Sequence, residues 1–130
     1  MPPKPARPIP VPTESELAIL QILWRMGPCS VRTVWTELGQ KTGYTTVLKF
    51  LQIMREKGLV RRDDAKLTHI YAAAAEAAET QERLVNRFIE RAFGGSASEL
   101  VLRALSAQPV TAPERDAIRA LLSAEERKRS

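Results

Sequence analysis

VRTVWTELGQKTGYTTVLKFLQIMREKGLVRRDDAKLTHIY, residues 31–71, holds two short amphipathic patterns followed by a basic hairpin, and the rest of the chain is best read outward from it. In the first pattern Val31, Val34, Trp35 and Leu38 fall at i, i+3, i+4 and i+7, the spacing of one helical face, between Ser30 as a start signal and Gly39 as a stop. The second begins after Thr42-Gly43 and runs to Gly58, with Val47, Phe50, Leu51 and Met54 on one side. Thr45, Thr46, Lys49 and Gln52 are left on the other. Beyond Gly58, residues 59–62 and 67–71 alternate as two strands, and Asp63, Asp64, Ala65 and Lys66 join them. His69, between Leu67 and Tyr71, reads as a half-exposed strand residue.

A further helix is expected in front of this unit. Thr13-Glu14-Ser15-Glu16 has the form of a capping box, Leu17, Leu20 and Trp24 mark a buried face, and Gly27-Pro28 ends the run because proline lacks an amide hydrogen. Three helices and a hairpin in this order make a winged helix-turn-helix over residues 13–74. At about 60 residues it is near the lower size for an independent core. In that fold the second helix of the pair enters the major groove, and small hydroxyls, an amide and a cation suit base edges and phosphates. Thr45, Thr46, Lys49 and Gln52 are therefore the candidate DNA-reading residues, with Arg62 and Lys66 of the hairpin as candidate phosphate contacts.

Charge agrees with this division. The chain has 130 residues and a formal net charge of +5. All of the excess lies before residue 75: residues 1–12 carry Lys4 and Arg7 without acids, residues 13–74 carry nine bases against six acids, and residues 75–130 carry nine of each. Counterion release from DNA phosphates would draw on that excess, although a few surplus lysines also serve solubility. The first twelve residues, MPPKPARPIPVP, have six prolines and no apolar stretch of signal-peptide type, so they read as an extended basic tail. No run is long and apolar enough to span a bilayer, and a cytoplasmic protein is expected. One cysteine, Cys29, and one histidine, His69, exclude an intrachain disulfide and offer no metal constellation. No catalytic set, cofactor motif or small-molecule ligand is evident, and an enzyme is not expected. Trp24 and Trp35 sit on apolar faces as core residues.

The remainder, residues 75–125, reads as helical. An alanine-rich helical start covers residues 72–78, and Leu84, Val85, Phe88, Ile89, Ala92 and Phe93 form an apolar stripe ended by Gly94-Gly95. Ser96-Ala97-Ser98-Glu99 and Thr111-Ala112-Pro113-Glu114 have the form of two more capping boxes, opening segments with Leu100, Leu105, Leu121 and Leu122. Residues 126–130 are a charged tail. Three short helices of about 50 residues bury too little by themselves, so Leu84, Phe88, Ile89, Leu100, Leu105, Leu121 and Leu122 are expected to form a dimerisation surface, which would pair two reading helices on a palindrome. The alternative is that these helices fold back within a monomer. The fold expected is thus mainly α, a winged helix-turn-helix followed by a helical dimerisation region. A competing function is a winged-helix protein-interaction adaptor that does not bind DNA.

The residues Gly43-Tyr44-Thr45-Thr46-Val47-Leu48-Lys49, the run from Gln52 to Val60, and Phe93-Gly94-Gly95 to Leu100-Val101-Leu102 resemble, in order, the penicillinase-repressor family of bacterial transcription repressors (BlaI/MecI type). The resemblance implies a homodimer that binds a dyad operator and blocks transcription, with the start of the third helix, at Thr45, Thr46 and Lys49, in the major groove. It also implies a membrane sensor-protease system that relieves repression by cutting the dimerisation region. The pair matching the family's Asn-Phe cleavage bond is Arg103-Ala104, a change of residue type. Another branch senses copper through a cysteine-rich tail; this chain ends without cysteine, so copper sensing is discounted.

Overall fold

The computed structural model describes residues 11–65 and 67–129. The expected tail up to residue 10, Lys66 and Ser130 lie outside the described residues. The elements run α1 (Glu14–Met26), β1 (Cys29–Ser30), α2 (Val31–Glu37), α3 (Tyr44–Lys57), β2 (Val60–Asp63), β3 (Ile70–Ala73), α4 (Ala77–Ala92), α5 (Ala97–Ala107) and α6 (Ala112–Arg129). Two compact units result, one ending at Val85 and one beginning at Asn86, so the division falls within α4.

In the first unit the helix ends follow from local chemistry. Thr13 Oγ1 accepts the Glu16 amide at 3.2 Å while the Glu16 carboxylate accepts the Thr13 amide at 2.9 Å, a complete capping box. Ser30 accepts the Thr33 amide and starts α2. Gly58, at φ 84°, takes the left-handed conformation that ends α3 and turns the chain into β2.

The core of this unit is one cluster. Ile19, Leu20, Ile22 and Leu23 of α1 join Val31 and Val34 of α2, Val47, Leu51 and Met54 of α3, and Leu59, Val60 and Tyr71 from the hairpin. The buried face of α1 is therefore turned from the one expected. Ile19, Ile22 and Leu23 are inside with Leu20, whereas Leu17 and Trp24 are half-buried. Leucines and isoleucines are nearly continuous in α1, so spacing leaves its roll open, and its contacts with α2 and β3 decide it.

The sheet also departs from the expectation. It has three antiparallel strands in the order β1-β3-β2, with Cys29 opposite Tyr71 and Arg62 opposite Tyr71 from the other side. The two-residue β1 gives no alternation for a sequence reading to detect. The hairpin strands sit further along the chain than expected, so Ala72 and Ala73 belong to β3 and α4 starts only at Ala77. Alanine's helix propensity is a fraction of a kcal/mol and yields to the pairing of Ala72 with Arg61 and Ala73 with Val60. His69 precedes β3 in an exposed loop and is not a strand residue.

The second unit is built differently. Thr111 and Glu114 form a complete capping box at the start of α6, at 2.8 and 3.3 Å. Ser96 accepts the Glu99 amide at 3.2 Å, but the Ser96 amide donates to the Phe93 carbonyl, and the expected box is only half made. Phe88 and Phe93 meet edge to face, 5.5 Å between centroids. None of its described residues is buried.

The two ends of the first unit's helices are tied by charge. Lys57, in the last turn of α3, donates to both oxygens of the buried Glu16 at 2.9 and 3.1 Å. Burial disfavours the Glu16 carboxylate, but the Thr13 amide and then the Lys57 ammonium outweigh it and hold its pKa below the usual carboxylate range. A depressed folded pKa stabilises above the unfolded value and ceases to do so as pH falls through the folded one. Glu16→Gln, which resembles the protonated acid, is expected to lower unfolding free energy by about 1–2 kcal/mol near neutral pH, discounted because Lys57 reaches solvent. Urea titrations should show that deficit shrinking as pH drops below the ordinary carboxylate range; a pH-independent deficit would assign the effect to shape rather than charge.

Candidate nucleic-acid interface

The helix pair α2–α3 is held by its turn. Leu38 closes α2, Gly39 and Gln40 take left-handed angles of 81° and 58°, and the Trp35 indole donates to the Thr42 carbonyl at 2.8 Å. Trp35 also meets Tyr44 edge to face, 5.7 Å between centroids. One side chain of α2 thus fixes both the turn and the first residue of α3. Val47, Leu51 and Met54 are fully buried, so α3 cannot roll without exposing them. Its opposite side presents Thr45, Thr46, Lys49 and Gln52 to solvent. Gly43 supplies no side-chain cap and the first turn carries no acid, leaving the positive end of the helix dipole available to an anion beside those residues.

The wing flanks this face. Strand alternation from the buried Val60 sends Arg62 inward and Arg61 outward. Arg62 lines a groove between wing and helices together with Arg32 of α2, Tyr44, Leu48 and Gln52 of α3, and His69. It is not a free cation. Its Nε lies 2.6 Å from Asp64 Oδ1 and its Nη2 donates to Asp64 Oδ2 at 3.1 Å. The Asp64 carboxylate, and after it Tyr71, push the guanidinium pKa further up. Arg62 holds the Asp64 carboxyl below its usual range, with His69 and Arg55 adding to the effect. His69 Nδ1 is 3.0 Å from Asp64 Oδ1.

Of the expected DNA-reading residues, the structure therefore brings Thr45, Thr46, Lys49 and Gln52 onto one exposed face and places Arg62 beside it, already paired. Lys66 lies outside the described residues. Arg32 at the start of α2, Lys41 in the turn and Arg61 on the outer side of the wing are further exposed cations, of which Arg32 lines the same groove as Arg62. Arg32 and Lys41 were not singled out in the sequence, where the count of cations was legible but not their placement at the turn. Both tryptophans are half-buried with their indole hydrogens on backbone carbonyls, Trp24 on Ala75 at 2.9 Å. Cys29 is half-buried in β1, and burial followed by the Glu37 charge pushes its thiol pKa up, against a nucleophilic role.

In the second unit the residues expected for dimerisation are exposed or half-buried. Phe88, Leu105, Leu121 and Leu122 are exposed, and Ile89 and Leu100 are half-buried. Leu84, also half-buried, precedes the division in α4. Arg103 and Ala104 are exposed within α5, where Arg103 approaches Glu99 at 3.9 Å.

A helix-turn-helix with an uncapped, hydroxyl-bearing second helix and an adjoining β-wing is the architecture of DNA-binding transcriptional regulators. The family model described as Penicillinase repressor matches residues 12–124, and the chain belongs to that family of transcriptional regulators. Among curated proteins no sequence matches. Among solved structures, the protein in the complex structure of hsRosR-S4 is similar over 92% of this chain and 93% of that one, at 14% identity and a TM-score of 0.50, a likeness of fold. The PcaV transcriptional regulator from Streptomyces coelicolor, solved with its natural ligand, is similar over 92% of this chain and 78% of that one, at 16% identity and a TM-score of 0.49. AbfR of Staphylococcus epidermidis is similar over 90% and 70%, at 18% identity and a TM-score of 0.45. Across the described residues, no helix is long and apolar enough to cross a membrane.

Trp35→Phe keeps the ring but removes its bond to Thr42. It is expected to cost about 1 kcal/mol in urea unfolding and to speed amide exchange over residues 39–44; unchanged exchange there would mean that the indole does not hold the turn.

Proposed function

We propose that this protein is a homodimeric transcriptional repressor that binds a palindromic operator, reading bases with Thr45, Thr46, Lys49 and Gln52 of α3 and setting its register on phosphates with cations of the wing and turn. The observation that carries this reading is the outward face of α3. Among the exposed large apolar side chains, α3 contributes Tyr44 at its first residue; the outward face is otherwise mainly polar, with Thr45, Thr46, Lys49 and Gln52 exposed beside the half-buried Ile53 and the exposed acid Glu56 toward the far end. An adaptor using the same helix to hold a protein would be expected to expose an apolar patch there. Hydroxyls and an amide can exchange hydrogen bonds with base edges at little desolvation cost, and Lys49 can meet a base or a phosphate.

Dimerisation is supported by the second unit. Phe88, Val101, Leu102, Leu105, Leu121 and Leu122 are all between 44% and 64% exposed, and no described residue of the unit is buried. Three helices with that much apolar surface in water gain by covering it, and a second copy offers an identical, self-complementary face. The dimer links two reading helices, so affinity for a dyad exceeds that of either half alone. Relief of repression through a membrane sensor-protease system, or another inducing signal, completes the proposal. Cleavage at Arg103-Ala104 would require α5 to open locally, because a protease takes an extended strand and these residues are helical.

Two variants test the reading against the upstream DNA of its own gene. Lys49→Ala should weaken binding roughly tenfold while light scattering still reports a dimer; unchanged affinity would remove Lys49 from the interface. Leu121→Glu, at an exposed position, should leave the helical signal intact yet shift the protein toward monomer and weaken operator binding on the order of 100-fold. A Leu121→Glu protein that stays dimeric would place the interface elsewhere.

A further inference from the structure

The Arg62–Asp64 pair sits where a DNA-binding protein would be expected to show an unencumbered cation. We infer that Asp64 is a positioning residue of the DNA interface: by occupying the Arg62 guanidinium it withholds that cation from indiscriminate phosphate contact and so lowers affinity for random DNA. The inference rests on the DNA-binding reading above and goes beyond it, because it assigns a role in specificity to an acid.

The geometry makes the pairing more than an incidental surface bridge. Two guanidinium nitrogens face two carboxylate oxygens, at 2.6 and 3.1 Å, and Arg62 stands directly opposite Tyr71 on the neighbouring strand. Nε is withdrawn from solvent, and its contact with Asp64 is an ion pair off the hydrogen-bond axis. Arg62 is therefore held in one orientation inside the groove, next to Gln52 and Leu48 of the reading helix. Among the described residues Asp64 makes no hydrogen bond to the turn backbone; its carboxylate meets the side chains of Arg62 and His69. The neighbouring Asp63 makes the turn bond, accepting the Ala65 amide at 2.9 Å. A carboxylate at the edge of a DNA-facing surface is repelled by phosphates, and here it also lies 3.0 Å from His69 Nδ1 and within the field of Arg55 on α3. A phosphate can take the Nε–Nη2 edge of Arg62, the edge that gives a side-on bidentate contact, only by displacing Asp64, so that contact forms where the remaining contacts fix the duplex in register and is disfavoured on a duplex that fits poorly. Specificity rises because the competing state is weakened.

The test uses a random-sequence duplex of about 30 base pairs, which needs no knowledge of the operator, titrated with the full chain between 50 and 200 mM salt. Asp64→Asn retains size and leaves the Asp63 turn in place. It should tighten binding to random DNA roughly fivefold at the lower salt and steepen the salt slope by about 0.9, the signature of one more phosphate contact. Arg62→Gln in the Asp64→Asn background should abolish that gain, and Asp64→Glu should restore most of the wild-type behaviour. If wild type and Asp64→Asn bind random DNA with equal affinity and slope, the inference fails while the DNA-binding reading stands. A tightening that survives Arg62→Gln would also overturn it, since simple loss of a negative charge would then be sufficient. Should the wild type bind neither random nor upstream DNA at the lower salt, the DNA-binding reading itself falls, and the inference with it.

Discussion

Burial of one apolar stripe on α3 is the constraint on which the first unit depends. Val47, Leu51 and Met54 are fully enclosed by Val34, Ile19, Leu20 and Tyr71, and each contributes about 1.5–3 kcal/mol by leaving water. That energy does more than stabilise. A helix with one face locked into a close-packed cluster has a fixed roll, so the opposite face is fixed too, and Thr45, Lys49 and Gln52 point outward without needing contacts of their own. Two polar links then define the helix ends. The Trp35 indole on Thr42 sets where α3 begins, and Lys57 on Glu16 anchors its last turn to the start of α1. Neither link touches the outward face, which leaves that face free for a ligand.

The wing follows a second logic. Its inward side is set by Val60 and Tyr71 entering the core, and Arg62, two residues after Val60 and directly opposite Tyr71, lies along the groove beside α3. A long cation held in one rotamer has already lost the entropy that a flexible side chain loses on binding. Asp64 supplies the restraint, and the same contact lowers the wing's net positive charge. Affinity for phosphates in general and affinity for one arrangement of phosphates thus respond in opposite directions to a single ion pair, the balance a regulator surrounded by excess nonspecific DNA has to strike.

The C-terminal unit shows what happens without such a stripe. Its helices are well delimited, with Gly94-Gly95, the Ser96 cap and the Thr111–Glu114 box all in place, yet nothing described in it is buried. Local signals make helices; they do not make a core. Phe88 with Phe93 makes an aromatic contact in it, and Leu102, Leu105, Leu121 and Leu122 face solvent. The first unit and this one therefore differ in the scale at which they are complete.

Much of the first unit was legible in the chain because its signals are local and mutually consistent. The Thr13–Glu16 box, the Ser30 start, the Gly58 stop and the spacing of Val47, Leu51 and Met54 each agree with the structure, and the outward residues of α3 follow by subtraction. The roll of α1 was not legible, since apolar residues surround most of that helix and only its packing on α2 and β3 selects Ile19, Ile22 and Leu23. Nor were β1 and the true extent of β3. A two-residue strand has no period, and Ala72 and Ala73 take strand geometry because partners pair with them, against their own preference. Arg62 is the sharpest case. The sequence by itself determined that wing cations stand beside two acids, Asp63 and Asp64; only the folded hairpin decided that Asp64 takes Arg62 while Asp63 takes the Ala65 amide, because strand alternation and the turn set which way each side chain points.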